Sequence, residues 1–388
     1  MHDPLPSQYI VTVTSDRWLG SMNEEVVDFK HLILPEMYPP HTPLLDLHPL
    51  PISSLHNLKY ESLFKHHFFN PIQTQIFHTL FHTDHNFLLG APTGSGKTVA
   101  AELAILRLFK EHPGLKAVYI GPLKALVRER IEDWQQKFVK KLGKKLVELT
   151  GEYTPDVSAL MKADIIATTP EKWDGVSRSW QNRSYVKSVG LIIIDEIHLL
   201  GEERGPIIEV IVSRMRYISS KTENNIRILG LSTALANARD LGDWLGIEGA
   251  GLYNFHPSVR PVSIEVHIQG FEGKHYCPRM QKMNKPAYEA ILTHSPRKPV
   301  LIFVSSRRQT RLTAVDLIQL AHSNDTPKQF LHMTPSLLKS SLKSVKDKAL
   351  RDCLEFGVGI HHAGLALSDR TLVEQLFASE KIQVCVFF

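Results

Sequence analysis

The sequence is poor in cysteine, in long apolar runs and in net charge. Three cysteines in 388 residues, Cys277, Cys353 and Cys385, lie too far apart to form a CxxC metal site or a disulfide framework. No apolar run approaches the length of a membrane span, and no signal-peptide pattern opens the chain, so we expect no membrane partner. A formal net charge of +5 excludes a polycation, so any nucleic-acid contact must come from local patches. These absences favour the nucleus and the cytosol as locations.

What the sequence does contain is a repeated alternation of short β-branched runs with helix-length stretches. Between residue 60 and about residue 247 this alternation predicts a doubly wound parallel sheet of the α/β class. A second set of similar runs follows, and since such a domain needs five or more strands, we expect the second domain to be incomplete. The predicted strands are 87–90, 117–121, 164–168, 191–194 and 227–231 in the first set, and 299–304, 357–362 and 382–386 in the second.

The most specific motif is the loop APTGSGKT at residues 91–98. It directly follows the apolar run 87–89 and precedes a helical stretch at 99–110, which is the strand, loop and helix order of a phosphate-binding loop. Its backbone amides would face nucleotide phosphates at the positive end of the helix. Lys97 would reach the β- and γ-phosphates of ATP, and the Thr98 hydroxyl would hold Mg²⁺. The predicted cofactor-binding residues in this loop are Ala91, Pro92, Thr93, Gly94, Ser95, Gly96, Lys97 and Thr98.

Two carboxylates follow the apolar run 191–194. Asp195 and Glu196 therefore lie at the carboxyl edge of the predicted sheet, where such sheets bind ligands. Asp195 would hold Mg²⁺ through water, and Glu196 would polarise the attacking water. The plain alternative is that both carboxylates begin a solvated loop, but the phosphate-binding loop elsewhere in the chain argues against it.

Six further segments look like helicase motifs, although each alone could be a helix cap or a turn. In chain order they are FNPIQ at 69–73 (a Q-type motif), GPLKALVRE at 121–129 (motif Ia), TTPEKWD at 168–174 (motif Ib), LSTA at 231–234 (motif III), FVSSRR at 303–308 (motif IV) and GIHHAG at 359–364 (motif IVa).

In this order and spacing, the segments resemble the superfamily-two DExH-box helicases. The stretches WDGVSRSW at 173–180 and IHLLGEERGP at 197–206 are typical of the branch whose members carry two tandem helicase cassettes. The resemblance covers nearly the whole chain. It implies RecA-like motor domains, one complete and one incomplete, that use ATP and Mg²⁺ to move 3′ to 5′ along a strand.

The resemblance also implies roles for individual residues. Gln73 would hydrogen-bond the adenine edge. Hydroxyls, helix amino ends and basic side chains of the Ia, Ib, IV and IVa motifs suit contacts with single-stranded or partly duplex nucleic acid. The implied catalytic residues are Glu196, His198, Ser232 and Thr233. The implied nucleic-acid contacts are Pro122, Lys124, Arg128, Thr169, Pro170, Ser305, Arg307 and His362.

A domain organisation follows from the same resemblance. Residues 1–27 would be the tail of a preceding fibronectin-like β-domain, and residues 28–59 a linker. Residues 60–255 would form the first RecA-like ATP-binding domain, and residues 256–388 a second helicase domain that stops before motif V. Because motif VI supplies the arginine fingers in this family, we expect no unwinding by this chain alone.

The segments 237–241 and 257–271 look most similar to a group of these helicases that are subunits of the activating signal cointegrator complex. For that group the resemblance implies the other subunits of the complex as partners, and roles in DNA repair and ribosome quality control. The alternative is a non-catalytic nucleotide-binding interaction module, which the intact Lys97 and Glu196 disfavour. DNA and RNA are not distinguished, because backbone tracking is largely independent of the bases. A small-molecule kinase would explain none of the downstream motifs.

Overall fold

The computed structural model describes residues 8–28, 40–151, 155–222 and 224–388. The chain divides into two compact units, one that ends at Ile264 and one from Glu265 to Phe388. The predicted domain boundary after residue 255 lies shortly before that division. None of the helices in the described ranges is long and apolar enough to span a bilayer.

The first unit alternates strands and helices along most of its length. Its strands are β1 (Gln8–Thr14), β2 (Met22–Asp28), β3 (Phe87–Gly90), β4 (Lys116–Ile120), β5 (Leu146–Leu149), β6 (Ile165–Thr168), β7 (Val189–Ile194), β8 (Arg227–Ser232) and β9 (Leu252–Asn254). Its α-helices are α1 (Leu58–Glu61), α2 (Pro71–His82), α3 (Lys97–Glu111), α4 (Lys124–Trp134), α5 (Lys140–Leu142), α6 (Val157–Lys162), α7 (Pro170–Ser177), α8 (Ser184–Lys187), α9 (Gly205–Lys221) and α10 (Ala238–Leu245).

A parallel sheet forms the centre of this unit. Within the described residues it has seven strands in the order β5-β6-β4-β7-β8-β3-β9, and every neighbouring pair is parallel. The predicted α/β class with a RecA-like, doubly wound sheet is therefore confirmed. All five strands predicted for this unit lie inside the sheet, and the two that were not predicted, β5 and β9, are its edges.

Helices cover both faces of the sheet, which explains why its strands read as continuous apolar runs. Along β7, Leu191 and Ile193 belong to the apolar cluster on one face, whereas Ile192 and Ile194 belong to the cluster on the other. Each residue of the run is buried because successive side chains point to opposite faces. The carboxyl end of β7 is thereby fixed, and Asp195 follows it directly.

The segments before the sheet were predicted as a β-domain tail and a linker. The strands β1 and β2 form an antiparallel hairpin whose residues are all exposed. Residues 1–7 and 29–39 of these predicted segments lie outside the described residues. The later part of the segment follows the sheet edge, since the Thr42 amide donates to the Asn254 carbonyl oxygen at 2.7 Å and the Asn254 amide donates to Thr42 Oγ1 at 2.8 Å.

The second unit is also α/β. Its strands β10 (Val300–Phe303), β11 (Val358–His361) and β12 (Val384–Phe387) form a parallel sheet in the order β10-β12-β11. All three strands were predicted from their apolar runs. Its helices are α11 (Tyr276–His294), α12 (Arg307–Ser323), α13 (Pro335–Ser344), α14 (Lys348–Leu354) and α15 (Leu367–Ala378).

Candidate functional site

The phosphate-binding loop joins β3 to α3, and its backbone depends on two glycines. Gly94 has a φ of 84° and Gly96 a φ of 82°, both in the left-handed region that favours glycine. A Cβ atom on Gly96 would collide with Nε2 of Gln73, so the loop also lacks space for a side chain there. Lys97, the seventh of the eight loop residues, is the first residue of α3, and the loop therefore lies at the positive end of that helix.

The amino end of α2 holds the loop in place. Asn70 and Gln73 form a reciprocal capping box, in which the Gln73 amide donates to Asn70 Oδ1 at 2.8 Å and the Asn70 amide donates to Gln73 Oε1 at 3.0 Å. Their remaining side-chain nitrogens reach the loop: Asn70 Nδ2 donates to the Ser95 carbonyl at 2.9 Å, and Gln73 Nε2 to the Gly96 carbonyl at 3.3 Å. Gln73 thus supports the loop directly, and its contact with adenine stays a prediction.

Lys97 lies among groups of opposite charge. Its ammonium donates to the Ala91 carbonyl oxygen at 3.0 Å. Burial lowers the pKa of Lys97, while the charges of Glu196 and Asp195 raise it and partly offset that effect. The predicted phosphate cation and the predicted magnesium carboxylate are therefore neighbours, as a nucleotide site requires.

Two buried polar atoms beside the loop have no hydrogen-bond partner among the described residues, Ser95 Oγ and Arg260 Nε. The guanidinium of Arg260 lies against the loop, with Nη2 3.4 Å from the position that a Cβ atom on Gly94 would occupy. Unpaired side-chain donors at the positive end of a helix fit an anionic triphosphate with Mg²⁺. No pattern in the sequence predicted Arg260, because it reaches the loop from a distant segment.

Asp195 is held through both of its carboxylate oxygens. Oδ2 accepts from the Tyr119 hydroxyl at 2.6 Å, and Oδ1 accepts from the backbone amide of Glu196 at 3.0 Å. Burial, together with the neighbouring Asp195 charge, raises the pKa of Tyr119 far above its usual range, so its hydroxyl stays a donor. Tyr119 was not predicted as a site residue, because it lies inside an apolar strand run and looks like core.

Three of the four predicted catalytic residues form a short polar series. His198 Nδ1 lies 3.4 Å from Glu196 Oε2 and 3.4 Å from the Ser232 hydroxyl at the end of β8. Glu196 has a φ of 53°, a left-handed conformation that turns the chain from β7 into the 3-10 helix Ile197–Gly201. Thr233 follows Ser232 and is half-buried. Their catalytic roles stay predictions.

Three of the five predicted contacts of motifs Ia and Ib, namely Pro122, Lys124 and Thr169, line one groove, called here the Lys124 groove, of about 950 Å³. Arg204 closes one side of it, since Nη1 donates to the Pro122 carbonyl at 2.9 Å. Arg128 Nε, on the same helix as Lys124, lies 3.7 Å from Glu148 Oε1. Residues that line the groove include Pro122, Lys124, Thr169, Lys172, Arg183 and Arg204. Pro170, the first residue of α7, follows the groove residue Thr169 directly.

In the second unit, the structure brings motifs IV and IVa together. Arg307 Nη1 lies 3.5 Å from the position of a Cβ atom on Gly364, and His362 Nδ1 accepts from the Gly364 amide at 3.1 Å. Burial lowers the pKa of His362, and the Arg307 charge lowers it further. The Ser305 hydroxyl contacts the Tyr276 hydroxyl. Three predicted nucleic-acid residues thus lie at the start of α12 or just after β11.

The chain is similar in sequence to known helicases. The family model described as DEAD/DEAH box helicase matches residues 70–241. The chain is 64% identical over 384 residues to Activating signal cointegrator 1 complex subunit 3 of Danio rerio and to the protein of that name in Homo sapiens. It is also 64% identical over 384 residues to DExH-box ATP-dependent RNA helicase DExH14 of Arabidopsis thaliana. Each match covers 99% of this chain.

The relatives are much longer than this chain. The matches cover 25% of the Danio rerio protein, 17% of the Homo sapiens protein and 18% of the Arabidopsis thaliana protein. The chain therefore spans about a quarter or less of their length. Among solved structures, the DUF1998 helicase MrfA bound to DNA is similar in fold, with a TM-score of 0.61 and 15% identity over 88% of this chain and 45% of that one.

Proposed function

We propose that this chain acts as a DEAD/DEAH-box helicase, since that family model matches residues 70–241 and one relative is named a DExH-box ATP-dependent RNA helicase. Its first unit would bind and hydrolyse ATP with Mg²⁺ and bind a nucleic-acid strand in the Lys124 groove. The observation that carries the proposal is the meeting of Lys97, Asp195 and Glu196 at one sheet edge beside a loop of left-handed glycines. Coupled to domain movement, this chemistry would drive travel in the 3′ to 5′ direction.

Each residue has a defined task in this proposal. The loop amides and Lys97 bind the phosphates, and Thr98 and Asp195 would hold Mg²⁺, which neutralises phosphate charge when bound. Glu196 accepts a proton from the attacking water. His198 lies between Glu196 and Ser232 and orients the Glu196 carboxylate. Gln73 binds the adenine edge with the part of its amide that the loop does not occupy.

The strand contact would be electrostatic and independent of base sequence. Lys124, Arg183 and Arg204 give the Lys124 groove a basic lining, and Thr169 adds a hydroxyl near the amino end of α7. Such groups bind phosphates and carry no base readout. The second unit would add Ser305, Arg307 and His362, the remaining predicted contacts. The substrate is single-stranded or partly duplex nucleic acid.

We also propose the partners that the names of the relatives suggest. The relatives from Danio rerio and Homo sapiens are named as subunit 3 of the activating signal cointegrator 1 complex. The other subunits of that complex are therefore the proposed partners, in DNA repair and ribosome quality control in the nucleus and the cytosol.

Arg260→Gln should weaken ATP binding by about 10–100-fold, because a hydrogen bond to a charged group contributes roughly 1.5–3 kcal/mol. The guanidinium lies against Gly94 with an unpaired Nε, so a phosphate is the group that it fits. Competition with a fluorescent ATP analogue measures the effect. Adenosine affinity should not change, and Arg239→Gln, an exposed arginine on α10, is the matched control. Equal loss for ATP and adenosine would remove Arg260 from the phosphate site.

Strand binding should be weak and steeply salt-dependent. Each phosphate contact on a single strand contributes about 0.7 to the slope of log affinity against log salt. Lys124→Ala should lower affinity on every sequence and reduce the slope by about one contact. Fluorescence anisotropy over a salt series measures both, with Lys59→Ala on the surface helix α1 as control. A slope that stays flat with salt, or a strong preference for one base sequence, contradicts the proposal.

A further inference from the structure

The carboxylate of Asp195 is the first member of a buried polar series that leads away from the nucleotide site. We propose that Tyr119 and Arg130 are positioning residues that fix the Asp195 carboxylate for Mg²⁺ and link it to helix α4, which borders the Lys124 groove. This inference rests on the proposed function of the site. It assigns a role to two residues that are expected to touch neither nucleotide nor strand.

The backbone brings Tyr119 and Asp195 together. Strands β4 and β7 are parallel neighbours, with Tyr119 opposite Ile193, and the Asp195 amide donates to the Ile120 carbonyl at 3.0 Å. The Tyr119 hydroxyl then reaches Asp195 Oδ2 at 2.6 Å, while Oδ1 accepts from the Glu196 amide. Because both oxygens accept hydrogen bonds, the carboxylate is fixed in one orientation. A metal ligand fixed in this way needs no reordering when the ion binds.

Arg130 strengthens that hydrogen bond from the other side. Its guanidinium lies 5.9 Å from the centre of the Trp134 ring, which packs edge to face on the Tyr119 ring. Against the effect of burial, the nearby Tyr119 and Asp195 raise the pKa of Arg130. A cation beside a phenol polarises the O–H bond, so the hydroxyl becomes a stronger donor to Asp195. Arg130 lies on α4, two residues after Arg128 and six after Lys124. The series thus runs from the magnesium carboxylate into the helix of motif Ia.

The far end of α4 is tied to the helix of the phosphate-binding loop. Trp134 Nε1 donates to Glu102 Oε1 at 3.1 Å, and Lys137 Nζ donates to the same oxygen at 2.7 Å. Glu102 is fully buried on α3, whose first residue is Lys97. The Arg130 guanidinium lies 5.9 Å from the centre of the Trp134 ring. A bound strand that shifts α4 would therefore affect two parts of the nucleotide site, the Asp195 carboxylate and the helix that begins at Lys97.

Tyr119→Phe isolates the hydrogen bond from the packing. The ring would still pack edge to face on Trp134, whose centre lies 5.2 Å away, and only the hydroxyl would be lost. Tyr253→Phe is the matched control, because it removes a tyrosine hydroxyl that makes a side-chain hydrogen bond away from Asp195, to Thr79 Oγ1 at 3.2 Å, on the edge strand β9. Similar unfolding temperatures for the two variants show that both remain folded.

The measurement is the affinity for a fluorescent ATP analogue over a Mg²⁺ titration, with the whole 388-residue chain. In Tyr119→Phe, the Mg²⁺ concentration that gives half of the maximal change in ATP-analogue affinity should rise about tenfold or more. The loss of a hydrogen bond that supports a metal ligand typically costs about 10–100-fold in metal affinity. The affinity without Mg²⁺ should match that of the parent chain. An unchanged Mg²⁺ midpoint, or an equal loss with and without Mg²⁺, overturns the positioning role. A parent chain that binds no ATP analogue contradicts the proposed function instead.

The link to α4 has its own measurement. If an oligo-dT strand changes the affinity for the ATP analogue by some factor, the ATP analogue must change the affinity for the strand by the same factor. This coupling factor can therefore be measured by titrating either ligand in the presence of the other. In Arg130→Gln this factor should move toward one, while affinity for the strand alone stays at the parent value. A factor of one in the parent chain, or an unchanged factor in the variant, overturns the link.

Discussion

Lys97→Ala should abolish detectable ATP binding to this chain. The ammonium is the cation that the phosphate-binding loop itself supplies to the β- and γ-phosphates. It is already held at the loop by the Ala91 carbonyl at 3.0 Å, so little ordering is needed when phosphate arrives. Burial lowers the pKa of Lys97, because the ammonium has lost part of its hydration. Titration with a fluorescent ATP analogue measures the loss.

A second lysine on the same helix provides the control. Lys110 lies on α3 near its end, is exposed, and forms a surface pair with Glu111 at 3.1 Å. Lys110→Ala should leave ATP affinity unchanged, because surface pairs of this kind contribute little. Unchanged binding in Lys97→Ala would contradict the assignment of residues 91–98 as a phosphate-binding loop, however well the backbone matches one.

Much of the first unit could be predicted because its signals are local. Each central strand is a short apolar run, and the loop glycines, Lys97 and the carboxylates after β7 stand next to those runs in the sequence. The edge strands β5 and β9 could not be predicted, because β9 has only three residues and β5 is mostly half-buried, so neither gives a continuous apolar run. A strand that is buried on both faces can be predicted from the sequence, because its residues form a continuous apolar run.

The contacts that complete the site depend on tertiary structure. Tyr119 and Asp195 meet only because β4 and β7 pair in one register. Arg260 lies beside Gly94 although most of the sequence of the unit separates the two residues. Gln73 illustrates a third case: its motif predicts a contact with the nucleotide, whereas the structure shows its amide closing a helix cap and donating to the Gly96 carbonyl. This supporting contact could not be predicted from the motif, because Gln73 and Gly96 are distant in the sequence.

The choice between an ATPase and a module that only binds nucleotide also depends on contacts that the motifs do not show. An intact Lys97 and an intact Glu196 are compatible with a working ATPase, and they are also compatible with a module that only binds nucleotide. The geometry favours the ATPase, because His198 Nδ1 lies 3.4 Å from both Glu196 Oε2 and the Ser232 hydroxyl, and Asp195 is held by both oxygens. A binding module would not need Glu196 held in a left-handed backbone conformation, which carries a cost for a residue with a side chain.

Glu196→Gln should retain ATP binding and lower ATP hydrolysis by about 10²–10⁴-fold. Glutamine has nearly the same shape and can still contact His198, but it cannot accept the proton of the attacking water, a contribution of that size for general-base catalysis. Phosphate release measures hydrolysis, and the fluorescent ATP analogue measures binding on the same samples. Glu202→Gln, an exposed carboxylate just after the 3-10 helix Ile197–Gly201, is the control and should behave as the parent chain. Hydrolysis that survives in Glu196→Gln would remove this residue as the base. A parent chain that binds ATP without hydrolysing it would favour the non-catalytic interaction module, because Lys97 and the loop would then bind nucleotide with no use for the aligned Glu196.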